Sequence, residues 1–171
     1  MSTTTPSIRR LALGDLEHEM AQTRRVLERV PDEHFDWKPH EKSMPLGRLA
    51  AHVANLPWLA RAALQGDELD VATVPRPDPA SAPKGRDDIL AKFDAELANL
   101  SAALDAADDA TLMQKWTLRN GERVVMSVPR AGAIRGMGIS HLIHHRAQLT
   151  VYLRILDVPI PGLYGPSADE Q

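Results

Sequence analysis

His141 and His145, one helical turn apart, are the side chains of this sequence best placed for chemistry. They lie in GISHLIHHRAQLTVY, Gly138 to Tyr152, which holds three of the seven histidines and reads as an amphipathic helix. Residues four apart on a helix lie one above the other on the same face. Two imidazole nitrogens so placed can converge on one divalent ion, as in other helix-borne zinc sites. His144 is rotated by about 100° from His145 and points elsewhere. Ile134, Gly138, His141, His145, Gln148 and Tyr152 recur every three or four residues, which predicts an inward stripe carrying both histidines. Imidazoles on such a stripe need partners for their ring nitrogens. A metal is one, and buried hydrogen-bond acceptors are the other.

Little else in the sequence offers catalytic groups. Leu142 occupies the position a glutamate would hold in an HExxH zinc site, and no Ser, His and Asp spacing marks a triad, so no catalytic residue is assigned. There is no cysteine, which excludes disulfides, thiolate nucleophiles and Cys-ligated zinc together. Any metal is therefore held by nitrogen and oxygen. His18 sits among charges and reads as a surface residue. His34 and His40 fall in a loop without regular spacing, so neither they nor His18 and His144 are expected to be ligands. His52 is a lone histidine on an apolar stripe, where a hydrogen-bonded core residue is the ordinary reading. Gln148, one turn beyond His145, is placed either to orient a ligand or to fill the stripe. Trp58 is placed either to line a pocket or to pack in the core.

Four apolar stripes must position these side chains. The first is Leu13, Leu16, Met20, Thr23, Leu27 and Val30, on a helix that starts at Ser7 and stops at Pro31, with the charged residues from Asp15 to Glu28 on its solvated face. Residues 31–45 contain too many breakers for a helix, and Phe35 and Trp37 can pin this loop. The second helix runs from about Pro45 to Gln65, with Leu49, His52, Leu56, Leu59 and Ala63 inward, Pro57 inside it and Gly66 closing it. Asp67 to Gly85 holds four prolines and predicts an extended connection. The third helix begins near Asp87, with Leu90, Phe93, Leu97, Leu100 and Leu104 inward and an acidic turn after it. Asn120-Gly121 between Trp116–Arg119 and Glu122–Val128 predicts a type I′ hairpin. The fourth helix follows Pro129, carries the histidine pair and reaches about Leu156. The fold class is all-α, a four-helix bundle with a small β-hairpin before the last helix.

Composition narrows the function. At 171 residues the chain is long enough for one domain, 1–171, and hydrophobic residues at 43 % with only 4 % aromatic imply a core of Leu, Ala and Val. A net charge of −3 with dispersed basic residues gives no footprint for nucleic acid. No apolar run is long enough for a membrane span, and Met1 to Asp15 lacks the apolar core of a signal peptide. A cytoplasmic protein with a small-molecule substrate is expected.

The segments LGRLAAHVANLPW (Leu46 to Trp58), WTLRNGE (Trp116 to Glu122) and SHLIHHRAQLTVYLRILDVPIPGLYGPSADE (Ser140 to Glu170) carry a resemblance to the DinB-like (YfiT-type, damage-inducible) superfamily of metal-binding four-helix bundle proteins. The resemblance implies an up-down-down-up bundle whose second and third helices are joined by a long crossover, which Asp67 to Gly85 would supply. It implies a divalent ion, zinc or nickel, held by one histidine of the second helix and an HxxxH pair of the last. Those positions fall on His52, His141 and His145. Ala147 stands where close relatives have glycine. Relatives with known activity include S-transferases and isomerases that use a low-molecular-weight thiol, and the lack of cysteine suits a thiol brought in as cosubstrate. The resemblance thus implies a metal-dependent S-transferase acting on a small electrophile. A metal hydrolase and a non-catalytic binding protein of the stress response are the alternatives. Members of this family are often dimers, so a homodimer is expected.

Overall fold

The computed structural model describes residues 7–75 and 82–170, and in it the first apolar stripe is shared by two helices. α1 (Ile8–Leu13) is capped by Ser7, whose hydroxyl accepts from the Arg10 N–H; α2 spans Leu16–Leu27. The break falls at Gly14 and Asp15, where glycine weakens a continuous helix. The stripe itself is buried from Leu13 to Val30. One member of the expected solvated face is not solvated, since Glu19 is only 4 % exposed.

Phe35 and Trp37 anchor the loop to the next helix. Their carbonyls accept from the Gly47 and Leu46 N–H groups at 2.9 and 2.8 Å. The Phe35 ring covers Gly47 so closely that a Cβ there would meet it at 2.3 Å. α3 (Leu46–Ala62) buries more than one face, including Leu46, Leu49, Ala50, Val53, Ala54, Leu56 and Ala60. It packs against α4 (Arg86–Asp105) and against the last helix. α4 turns Ile89, Phe93, Leu100 and Leu104 into the core and leaves Leu90 and Leu97 half-buried at its edge. The acidic turn after it does structural work: the Asp108 carboxylate accepts from the Thr111 N–H and caps the short helix α5 (Asp109–Met113).

The expected hairpin forms, with one strand more than expected. β1 (Glu68–Asp70) pairs parallel with β2 (Lys115–Asn120), which pairs antiparallel with β3 (Arg123–Pro129). The connection expected at Asp67 to Gly85 therefore opens with a strand; its residues 76–81 lie outside the described residues. At the hairpin, Asn120 pairs with Arg123, so Gly121 and Glu122 are the central residues, and only Gly121 has positive φ (60°). That is the type II′ pattern rather than type I′. A bulge shifts the register between Leu118 and Arg119.

The last helix is continuous from Arg130 onward but not uniformly α. α6 (Arg130–Ala133) leads into a π-helical stretch (Ile134–Ser140), and α7 (His141–Ile155) follows directly. Buried Arg130 ties its start to the end of α3, donating to the Ala63 and Gly66 carbonyls at 2.8 and 2.6 Å and pairing with Asp67. α3 stops at Ala62 with Ala63 still right-handed, and Gly66, at φ 60°, is the left-handed residue that then turns the chain into β1. Further along, Gly138 lies so close to Ala60 that a Cβ would approach it to 2.6 Å. The described residues are thus mostly helical with one small three-stranded sheet, and no described helix is long and apolar enough to cross a membrane.

Candidate metal centre

Two helices running past one another bring the three histidines together. Gly138 meets Ala60 at one level, and two turns away His52 of α3 faces His141 and His145 of α7. The small residues at positions 60 and 138 set this close approach. The ring centroids of His52 lie 5.2 Å from His141 and 4.5 Å from His145, and those of His141 and His145 are 4.6 Å apart. Each ring offers a nitrogen such that all three lie within 4.8 Å of one another. The Nε2 atoms of His141 and His145 are 2.8 Å apart.

This donor set suits a divalent ion. Bonds of about 2.0–2.2 Å place neighbouring nitrogens on a metal roughly 3–3.5 Å apart, so small side-chain rotations would fit the rings to one ion. Metal binding needs neutral imidazole, and the surroundings favour that form. His52 is pushed down to about 4, first by burial, then by the charges that His145, His141 and Arg48 would place beside it. Burial also lowers His141, with His145 and His144 adding to it and a backbone hydrogen bond at Met137 opposing it. Among the described residues no Asp or Glu joins the cluster, so the protein supplies three donors. All three rings are half-buried, neither sealed in the core nor free in solvent.

The histidines do not lie on the fully buried stripe, which corrects the expected phase. Along α7 that stripe is Leu142, Arg146, Leu149 and Leu153, one residue beyond His141, His145, Gln148 and Tyr152. Leu142, at the position of an HExxH glutamate, is completely buried. His52 likewise borders the core rather than filling it.

The remaining sequence candidates sit elsewhere. His144 is exposed, its ring 4.8 Å from that of His145 and outside the cluster. His18 is exposed near Tyr164, and exposed His40 accepts from the Lys42 N–H through Nδ1. His34 lies half-buried in the short 3-10 turn Asp32–His34. Trp58 is half-buried and lines a surface cavity with Asn55, Lys92 and Glu96. Trp37 and Tyr152 meet edge to face at 5.7 Å, joining the loop to the helix that carries the histidine pair.

Sequence reasoning missed a second polar constellation, next to the first along the chain. The Arg146 guanidinium, 1 % exposed, donates to Glu19 Oε2 at 2.7 Å, to the Glu19 carbonyl at 3.0 Å and to Thr23 Oγ1 at 3.3 Å. The Tyr164 hydroxyl accepts from Arg146 at 2.7 Å and donates to the Glu19 carboxylate. The residue remains 69 % exposed while its oxygen completes the network. Burial, followed by the bond to Glu19, raises the pKa of Tyr164. The only sequence signal was Arg146 itself, a charge in phase with Leu142, Leu149 and Leu153.

Residues 15–149, which include all three histidines, match the sequence model of the DinB superfamily, and the chain belongs to that superfamily. Its structure is similar to that of a DinB-like protein from Bacillus cereus ATCC 10987, with a TM-score of 0.67 and 21 % identity over 90 % of this chain and 95 % of that one. A DinB-like protein from Bacillus subtilis is similar with a TM-score of 0.67 and 16 % identity, over 94 % of this chain and 99 % of that one. No curated protein matches the sequence.

Proposed function

We propose that this member of the DinB superfamily is a metal-dependent enzyme, a thiol-dependent S-transferase acting on a small electrophile. The observation that carries the reading is the convergence of three half-buried imidazoles without a fourth protein donor among the described residues. In this reading His52, His141 and His145 hold one zinc or nickel ion. Structural zinc sites close with four protein ligands, whereas catalytic sites keep a position open. Such an ion, when bound, is a Lewis acid that lowers the pKa of a thiol or water reaching its open position.

The chain's own part is to hold and to orient. Burial keeps His52 and His141 neutral at neutral pH, so no proton competes for their lone pairs. With no cysteine in the sequence, the nucleophilic sulfur must come from a low-molecular-weight thiol cosubstrate. Among the described residues no carboxylate joins the cluster as a general base, which suits a thiol that needs only its proton removed and suits water activation less well. Half-burial of the rings favours a site open to small molecules over the sealed site of a purely binding protein.

The wider reading is a single domain, 1–171, folded as an up-down-down-up four-helix bundle. Its support is pairwise. α3 runs opposite to α7, while Arg24–Asp94 and Arg9–Asp105 set α2 and α1 opposite to α4. A cytoplasmic homodimer without nucleic-acid or membrane partners completes it.

The test is the conjugation of a reference electrophile, 1-chloro-2,4-dinitrobenzene, with added glutathione or cysteine. Sulfur displaces chloride from the aromatic carbon, and the thiol proton goes to solvent. A rate that needs both thiol and metal, and that vanishes in the His52→Ala, His141→Ala, His145→Ala triple variant, is expected. Metal uptake with no thiol-dependent rate across a panel of thiols and electrophiles would reject the transferase in favour of the hydrolase or the binding protein.

A further inference from the structure

Gln148 stands one turn beyond His145 on α7, with its Oε1 2.7 Å from His145 Nδ1. An amide carbonyl oxygen offers only lone pairs, so this contact is a hydrogen bond only when Nδ1 carries the proton. In a neutral ring that leaves Nε2 bare. Nε2 is also the nitrogen turned toward the cluster, 2.8 Å from His141 Nε2. We infer that Gln148 is a positioning residue: it holds His145 in the Nδ1–H tautomer and thereby reserves Nε2 for the divalent ion shared with His52 and His141.

The inference rests on the metal reading above, but its evidence is separate. Gln148 is exposed, so its amide does not serve to satisfy a buried polar group. Among the described residues its side chain makes no hydrogen bond other than the one to His145. Both residues sit on one turn of a single helix, so the pair is set by local geometry and needs no distant element to hold it. Outer partners of this kind fix the tautomer and the ring plane of a metal-bound histidine, and their loss typically costs about 10–100-fold in metal affinity. An ordinary surface pair three residues apart would contribute a few tenths of a kcal/mol to the helix and leave the ring's tautomer unaffected.

Two readouts on the full-length chain separate these roles. In metal-free protein labelled with 15N-histidine, long-range proton–nitrogen spectra should show His145 as the Nδ1–H tautomer in wild type and in Gln148→Glu, which keeps an acceptor. In Gln148→Leu the ring should move toward Nε2–H while the far-ultraviolet circular dichroism stays unchanged. In zinc competition titrations Gln148→Leu should bind about 10–100-fold more weakly than wild type, with Gln148→Glu restoring most of the affinity. The same His145 tautomer in wild type and Gln148→Leu would overturn the inference, as would equal zinc affinities. A wild-type protein that takes up no zinc would instead remove the metal reading, and the tautomer comparison would still decide what Gln148 does to His145.

Discussion

His145 and Arg146 are neighbours on α7, and the two polar sites they belong to are built on opposite terms. On the Arg146 side, charges are buried and both terminal guanidinium nitrogens meet acceptors: guanidinium, carboxylate, threonine hydroxyl and phenol close on one another. On the His145 side, rings are half-buried, and three ring nitrogens converge within 4.8 Å of one another with no carboxylate among the described residues to join them. A satisfied buried network holds helices in register, and a convergent set of free lone pairs is a place for something to bind. The contrast gives the Arg146 side a structural part and leaves the His145 side, in the proposed reading, for a ligand.

The most damaging single change should fall on the satisfied side. Arg146→Leu strands the Glu19 carboxylate in the core and should cost about 3–5 kcal/mol in denaturant unfolding. The double variant Glu19→Leu, Arg146→Leu removes both charges and should regain most of that loss. If Arg146→Leu alone were nearly neutral, the network would not be the structural half of the comparison.

Changes on the open side should act through the ligand. Zinc at about 100 times its Kd should stabilise wild type by about 2.7 kcal/mol, and the triple histidine-to-alanine variant should show no such gain. The metal-free forms of the two proteins should unfold cooperatively and remain helical at room temperature, because the core is made of other residues. A chelated wild type that unfolds at room temperature would make the site structural.

A smaller effect follows from the neutral state of His52. Its folded pKa of about 4 lies below the ordinary value of 6.5, so between these values the unfolded chain binds more protons. Metal-free stability should therefore fall as pH drops from about 6.5 toward 4. His52→Ala should lose less stability than wild type between pH 7 and pH 5; equal losses would contradict the assigned cause. The smallest effect belongs to Tyr164→Phe, which removes one hydroxyl from the satisfied network and should cost about 0.5–1.5 kcal/mol by thermal unfolding.

What the sequence disclosed and what it hid follow the range of the interactions. The spacing of His141 and His145 is local, and so are the demands that put Gly66 and Gly121 at positive φ. The apolar stripe of the second helix places His52 inward, facing the pair, but the resemblance is what favours a ligand over a core residue, since nothing local tells a clustered histidine from a core one. Arg146 and Glu19 are separated by 127 positions, so Glu19 reads as part of a solvated face and Arg146 has no assigned partner until the fold pairs them. That concealed pair shifted the inferred stripe of the last helix by one residue. β1 is three residues long and only partly buried, too short for an alternating pattern. The division of the first helix at Gly14 was invisible because the apolar stripe runs through the break unchanged.

The central claim is that three imidazoles, from α3 and α7, share one ion while the fold stands without it. Its most direct measurement is the metal content of protein purified after incubation with zinc, for wild type and for the His52→Ala, His141→Ala, His145→Ala variant, alongside their circular dichroism. The account predicts one ion per chain in wild type, none in the variant, and the same helical signal in both. A wild type without metal, or a variant that keeps it, would contradict the account.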